Sequence, residues 1–322
     1  MRTNRRETRK AGAAIVSDLH LRDDQPICRT DDYWKAQLEK LEFIVQDTNE
    51  LVAEDGPLII AGDLFDYWRP SPLLIAETIR IMNKCGHKIL AVAGQHDIPQ
   101  HNLDLYPKTG LRVLEEGGVI TLLRAGSFMS FGKEEDAFKV YGYCFGEEDR
   151  AGLTTFIGSP RTVGVFHFLT CLDKSPIPGV EIPRAKNVLK KFPQFNLMIV
   201  GDNHQCFQAM LDDQHRLCSP GSMTRMEADQ EDYEPQTTLY YPGTNTVEWH
   251  PIPVKAGVIT RKHIERLQGK QEDIAKFVEG MKGSFDQTVS FERNLERYWK
   301  RNKIGQDLKE IVLKALEEET EE

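Results

Sequence analysis

The sequence predicts an α/β fold in which two sheets pack face to face with helices outside, followed by a small helical extension. Three observations carry this expectation. From Ala11 to Ala93, strand-length apolar runs alternate with helix-length stretches, the order of a mainly parallel sheet. From about Val113, short apolar runs separated by glycine and charge replace that alternation and predict antiparallel strands in a second sheet. After Pro253 the composition turns polar and helical.

The elements follow in order. Residues 1–10 are basic and read as a solvated tail, with a DNA-touching arm as the alternative. Ala11 to Ser17 is the first strand and ends in Asp18-Leu19-His20. After a polar loop, Tyr33 to Ala53 is a helix, with Leu38, Leu41, Ile44, Val45 and Leu51 on or near one face. Pro57 to Ala61 is apolar without alternation, the pattern of a buried strand, and runs into Gly62-Asp63-Leu64-Phe65-Asp66. Pro70 and Pro72 punctuate the loop before a helix over Leu73 to Cys85. Lys88 to Ala93 is the third strand and ends in Gly94-Gln95-His96-Asp97.

Val119 to Leu123, Ser127 to Phe131 and Phe138 to Phe145 are the runs assigned to the second sheet. Thr162 to Phe168 is a strand containing His167, and Asn196 to Val200 is another, ending in Gly201-Asp202-Asn203-His204. Gln205 to Met210, Arg216 to Ser219, Thr237 to Tyr241 and Thr246 to Trp249 complete a main domain over residues 11–253. In the extension, residues 254–322, Ile274, Phe277, Val278 and Met281 have helical spacing, as do Ile304, Leu308, Ile311, Val312 and Ala315. That pattern fits either a helical cap or an amphipathic face that docks a partner.

Composition narrows the function classes. The 322 residues are 40% apolar and 28% charged, as in a soluble globular protein. A net charge of −9 argues against a generally basic surface that coats nucleic acid. It leaves room for a nuclease, because bound cations and local Lys/Arg clusters attract phosphate. The six cysteines show no C-x-x-C spacing. With no export signal, they read as reduced thiols of a cytoplasmic protein. No apolar run approaches the roughly 20 residues of a membrane span, so no membrane association is expected. There is no Walker-type loop and no Gly-x-Ser-x-Gly elbow, so ATPase and serine-hydrolase readings find no support.

Five strand ends carry ligand-type residues: Asp18-x-His20, Asp63, Gln95-His96-Asp97, His167 and Asp202-x-His204. Ligands in open α/β sheets collect at the carboxyl ends of strands. Carboxylate and imidazole together suit Mn²⁺, Fe²⁺ or Zn²⁺, whereas magnesium usually takes oxygen ligands. Two such ions roughly 3.5–4 Å apart clamp a phosphate and polarise a bound water.

This set of motifs resembles the calcineurin-like metallophosphoesterases, whose pattern reads D-x-H, G-D-x-x-D, G-N-H-D, H and G-H-x-H. The resemblance covers about Ala11 to Trp249. Ala61 to Asp66, Ser219-Pro220-Gly221-Ser222 and the Trp249 to Pro253 strand end are most similar to the SbcD-like DNA-repair nuclease subunits. The resemblance implies a sandwich of two mixed sheets. It implies one metal on Asp18, His20, Asp63 and His204, and a second on Asp63, Gln95, His167 and Asp202, with Asp63 bridging. His96 would stabilise the pentacoordinate phosphate or protonate the leaving oxygen, Asp97 would orient its ring, and Asp66 would act from behind the ligands. Two positions depart from the pattern: Gln95 stands for the usual Asn, and Asp202 for the first His of G-H-x-H. The extra negative charge would move metal preference toward Mn²⁺ or Mg²⁺, with Mn²⁺ the expected pair.

Beside these motifs, Tyr67-Trp68-Arg69 is an aromatic-basic cluster that could stack on a base and touch phosphate, or form the lid of the next helix. His101 lies in a loop with Gln100 and Asn102, either lining a substrate groove or merely on the surface. Arg161, Arg184, Lys186, Lys190, Lys191 and Arg225 could form a basic rim. The function expected is a metal-dependent DNA exonuclease, with some endonuclease action, in repair, recombination or replication. The resemblance implies a homodimer working with an SbcC-type coiled-coil ATPase. The alternatives are a phosphodiesterase or protein phosphatase of the same superfamily, and an inactive scaffold that binds DNA or the ATPase.

Overall fold

A computed structural model describes residues 9–151, 161–173, 175, 179–266, 295, 296, 298–300, 306 and 309. The chain divides into two compact units, Met1–Ile259 and Thr260–Glu322. In the second unit, residues 262–266 form a helical turn. The apolar positions of the extension, from Ile274 to Ala315, lie outside the described residues, as do residues 1–8 of the basic tail.

The first unit contains two six-stranded sheets. Three strands lead the first: β1 (Ala13–Val16), β2 (Leu58–Ala61) and β3 (Ile89–Val92). They pair in parallel, β1 with β2 and β2 with β3. Every residue of the three strands is buried. This is why their sequences are continuous apolar runs and not alternating ones. Helix α1 (Tyr33–Leu51) links β1 to β2, and helix α2 (Pro72–Met82) links β2 to β3. Both start at side-chain caps: Asp32 accepts from the Lys35 amide, and Ser71 accepts from the Leu74 amide ahead of Pro72. Each cap contributes about 1 kcal/mol. Leu38, Leu41, Ile44 and Val45 of α1 are buried in the main core, so the helical spacing marked the packed face.

A helix over Gly110–Glu116, α3, precedes β4 (Thr121–Leu122). Strand β4 corrects an expectation, because the Val119–Leu123 run pairs in parallel with β3 in the first sheet and not in the second. The second sheet has the order β5-β6-β7-β8-β10-β9. Its strands are β5 (Phe128–Phe131), β6 (Phe138–Tyr143), β7 (Arg161–His167), β8 (Leu197–Gly201), β9 (Phe207–Met210) and β10 (Arg216–Ser219). Only its edge pairs, β5 with β6 and β9 with β10, are antiparallel; the middle of the sheet is parallel. Strands β11 (Gln236–Tyr241) and β12 (Thr246–Pro251) return to the first sheet, antiparallel beside β1. The architecture is thus a sandwich of two mixed sheets with helices outside. The parallel strands of both sheets deliver their carboxyl ends to one place, where the backbone carbonyl of Ala61 in β2 accepts a hydrogen bond from His167 in β7. All six cysteines are free. Among the described residues, no helix is long and apolar enough to cross a membrane.

Candidate metal centre

Four strand ends and the last residue of β7 build one cluster. Asp18 and His20 follow β1, Asp63 follows β2, Gln95 and His96 follow β3, His167 ends β7, and Asp202 and His204 follow β8. Asp18, His20, Asp63, Asp202 and His204 all hold a positive φ, between 44° and 87°. L-residues occupy that left-handed region at a cost of order 1–3 kcal/mol each. The surroundings enforce it. The Asp18 amide donates to Gly62 and the His20 amide to Asp63. The Asp202 amide donates to the Asp18 carboxylate at 3.0 and 3.2 Å. Gly62 fits because it has a φ of +88° and lies under the His167 ring, where a Cβ would stand 2.1 Å from Nδ1.

The side chains converge. His20 Nε2 lies 3.1 Å from His204 Nε2, 3.7 Å from Asp63 Oδ2 and 4.0 Å from Asp18 Oδ1. His204 Nε2 is 3.8 Å from Asp18 Oδ1. His167 Nε2 is 3.1 Å from Asp63 Oδ2, yet the two are not aligned for a hydrogen bond, and both atoms are buried without one. Gln95 Oε1 is likewise buried without a donor. Three groups of potential ligands interlock: Asp18, His20 and His204; His20, Asp63 and His96; and Asp18, Asp63 and His167. Asp18, His20 and Asp63 each belong to two of them. Orphaned polar atoms on mixed oxygen and nitrogen donors fit divalent transition-type cations. Asp18, His20, Asp63, His167 and His204 would hold them, with the Asp202 charge acting on His167.

The electrostatics agree. Burial opposes charging of His167, but the adjacent Asp63 carboxylate outweighs it and pushes the imidazole up to about 10. Burial also opposes ionisation of Asp63, yet His167, His20 and His96 hold it well below the usual carboxylate range. Burial works against the charge on His20 too, but Asp66, Asp63 and Asp18 raise its pKa. Burial and the neighbouring His20 lower His204. A proton on His167 thus answers carboxylate charge that bound cations would answer.

Several positions have partners that the sequence did not disclose. Gln95 and Asp202, the two departures from the motif pattern, are bonded to each other, with Gln95 Nε2 donating to Asp202 Oδ1 at 2.6 Å. Asp66 sits between His20 Nδ1 at 3.2 Å and Arg22 Nη1 at 3.4 Å, which makes Arg22 a positioning residue that sequence reasoning missed. Asp97 does not orient the His96 ring, and that expectation is corrected. Its buried carboxylate accepts from the backbone amides of Leu64, Phe65 and Gly94, at 3.3, 3.0 and 3.0 Å, and so fixes the loops after β2 and β3. Burial and the Asp63 charge push Asp97 up to about 6, against the pull of those amides.

His96 stays exposed. Its Nδ1 meets the Asp66 carbonyl at 2.8 Å and its own amide donates to Asp63 Oδ1 at 2.9 Å, so the ring is anchored with Nε2 left for a ligand. Tyr67 and Arg69 are exposed and Trp68 is half-buried, with the Tyr67 and Trp68 rings 5.4 Å apart. These three follow Asp66 directly and lie outside the ligand groups. His101 is also outside them. It packs edge-on to Phe145 and lines a cleft of about 630 Å³ with Arg112, Arg124 and Arg150.

Asp18, His20, Asp63, His167 and His204 would hold divalent ions, whose chemistry there would be Lewis-acid polarisation of a phosphoryl oxygen and activation of a water. His96, anchored through Nδ1, would act at Nε2 as proton donor to a departing oxygen. Asp66 and Arg22 hold the His20 ring, and Ala61 holds His167 by Nδ1, leaving Nε2 turned inward.

Comparison with known proteins accords with this geometry. The family model described as calcineurin-like phosphoesterase matches residues 13–174, just over half of the chain. That span contains every cluster residue except Asp202 and His204. No curated protein matches the chain. Similar solved structures include TT1561 of Thermus thermophilus, at 14% identity and a TM-score of 0.48, covering 76% of this chain and 100% of that one. Another is the calcineurin-like phosphoesterase YfkN from Bacillus subtilis, at 13% identity and a TM-score of 0.45, covering 83% and 98%. A third is a metallophosphoesterase from Sphaerobacter thermophilus, at 14% identity and a TM-score of 0.38, covering 77% and 90%. On the family match and the ligand cluster, the chain belongs to the calcineurin-like phosphoesterase family.

Proposed function

We propose that this phosphoesterase is a metal-dependent nuclease that cleaves DNA phosphodiester bonds, using Mn²⁺ as its preferred metal. The observation that carries the reading is the rim that follows Asp66. An exposed tyrosine, a half-buried tryptophan and an exposed arginine stand in sequence directly after a residue that contacts His20. Stacking rings beside a guanidinium suit a strand of unpaired bases and its phosphates. The His96 ring is exposed as well, and His101 lines a separate cleft whose arginines, Arg112, Arg124 and Arg150, are each paired with a glutamate. The proposal includes exonucleolytic action in DNA repair, in the cytoplasm, as a homodimer with a coiled-coil ATPase docked through the segment after Pro253.

The test is hydrolysis of linear duplex, single-stranded and hairpin DNA by the purified full chain in Mn²⁺, with bis-p-nitrophenyl phosphate as a small diester. DNA cleavage is expected, and Arg69→Ala combined with Tyr67→Ala should raise KM for DNA about tenfold while leaving the small diester untouched. Turnover of the small diester with no DNA cleavage, alone or with an ATPase partner, would favour a small-molecule phosphodiesterase or a protein phosphatase. That outcome would also accord with the net charge of −9. Metal binding with no turnover of either would leave a DNA- or ATPase-binding scaffold.

A further inference from the structure

A second concentration of buried charge lies outside the metal cluster. Arg29 precedes α1, Lys40 lies on the inner face of α1, and Arg225 follows β10. All three are buried, with exposures of 6%, 9% and 6%. They line a cavity of about 290 Å³ whose other walls include Phe43, Pro253 and Val254.

The cations there are not balanced. Arg29 forms a paired bridge to Asp31, at 2.8 and 2.7 Å, and its Nη1 donates to the Arg225 carbonyl at 2.9 Å. Arg225 spends its donors on backbone carbonyls, those of Glu231 and Lys255. Lys40 Nζ donates to the Pro253 carbonyl at 3.0 Å. An ammonium has three donors, and Lys40 lines the cavity with one of them spent on this carbonyl. Glu39, which pairs with Lys35 at 3.6 Å, and Lys255 complete the charged lining. Four cations and two carboxylates therefore line the cavity, with Glu231 and Asp232 acting on Arg225 from outside it. Burying an ammonium beside two guanidinium groups costs several kcal/mol unless an anion offsets it. Burial together with Arg225 and Arg29 pulls Lys40 down to about 7.

We propose that this cavity is an anion site that takes the phosphate group of a small phosphorylated molecule, with Lys40 Nζ as its direct ligand. A phosphate anion would answer the excess of cations in the lining, and the wall of Phe43, Pro253 and Val254 accommodates an apolar remainder. A cavity of about 290 Å³ is at the small end of the range for ligand pockets. The segment carrying Arg225 also reaches the metal cluster. The Met223 amide donates to the Asp18 carbonyl at 3.2 Å, and the Ser222 amide to the His204 carbonyl at 3.3 Å. An anion on this site is therefore one short segment from two metal residues.

The test uses the metal-free full chain with inorganic phosphate as the probe, followed by calorimetric titration and thermal unfolding against chloride at matched ionic strength. Saturable phosphate binding with a raised Tm is expected. Lys40→Met should weaken it at least about tenfold, the loss of one charge-assisted contact. Lys40→Arg should retain binding, and His96→Ala should leave it unchanged. Circular dichroism establishes that each variant folds. Absence of saturable binding would overturn the proposal. So would undiminished binding in folded Lys40→Met, or binding lost in His96→Ala and kept in Lys40→Met, which would place the phosphate at the metal cluster.

Discussion

Gln95 and Asp202 are expected to be energetically coupled before any metal binds. Their bond, 2.6 Å from Gln95 Nε2 to Asp202 Oδ1, is charge-assisted and half-buried. Hydrogen bonds to charged groups contribute about 1.5–3 kcal/mol, and partial exposure brings this pair to about 1–2 kcal/mol. The perturbation is a double-mutant cycle of Gln95→Ala and Asp202→Ala, read by urea denaturation of the full chain in EDTA. Asp202→Ala also relieves repulsion from Asp18, so its single effect understates the bond; the cycle cancels that term. The account predicts a coupling of about 1–2 kcal/mol in EDTA. Effects that add within about 0.5 kcal/mol would refute it. They would mean that the two side chains meet only through a shared metal. Gln95→Asn, one methylene shorter, should break the bond as completely as Gln95→Ala. Asp202→His introduced with Gln95→Asn, the pair found in the family pattern, should alter the ratio of Mn²⁺ to Zn²⁺ affinity. Unaltered metal selectivity would show that the Asp202 charge does not tune the second metal.

Other outcomes follow from single contacts. Gly62→Ala should cost more than about 2 kcal/mol and release bound metal, because the new Cβ meets the His167 ring at 2.1 Å in a left-handed backbone; denaturation and metal content measure both. Asp97→Ala removes the acceptor of three buried amides and should destabilise by about 2–4 kcal/mol. Its folded fraction should keep the tautomer of His96, readable by NMR, since the ring is held by Asp66 and not by Asp97. Lys40 titrates near 7 in the folded chain, against about 10.5 unfolded. The unfolded chain therefore binds the proton more readily in between, so the penalty is full below pH 7 and fades as pH rises toward 10.5. Stability in phosphate-free buffer should carry a rising contribution across that window, at most about 1.4 kcal/mol per pH unit, and Lys40→Met should abolish it.

The part of the centre legible in the sequence is the part encoded locally. An apolar run ending in Gly-Asp, or in Asp-x-His, places a ligand at a strand end without knowledge of the rest of the fold. The helices were legible for the same reason, since the stripe of Leu38, Leu41, Ile44 and Val45 is a local periodicity. Sheet membership was not local. Val119–Leu123 is too short to reveal its partner, and only the packed structure places β4 beside β3. The pairing of Gln95 with Asp202 joins positions 107 residues apart, and each looked like an independent departure. The role of Asp97 was misread because adjacency to His96 pointed to its ring, whereas the loop turns the carboxylate inward onto amides. Lys40 read as one more polar residue of an amphipathic helix; its burial beside Arg29 and Arg225 depends on loops far along the chain.

The central claim is that Asp18, His20, Asp63, His167 and His204 form a metal centre that hydrolyses phosphoesters with His96 as proton donor. The most direct measurement is the rate of bis-p-nitrophenyl phosphate hydrolysis by the full chain in Mn²⁺ and in EDTA, for the native protein, Asp63→Ala and His96→Ala. Turnover only with metal is predicted, abolished with loss of bound metal in Asp63→Ala. In His96→Ala, kcat should fall about 10²–10⁴-fold with metal still bound. Hydrolysis that survives EDTA, or that Asp63→Ala leaves intact, would contradict the account.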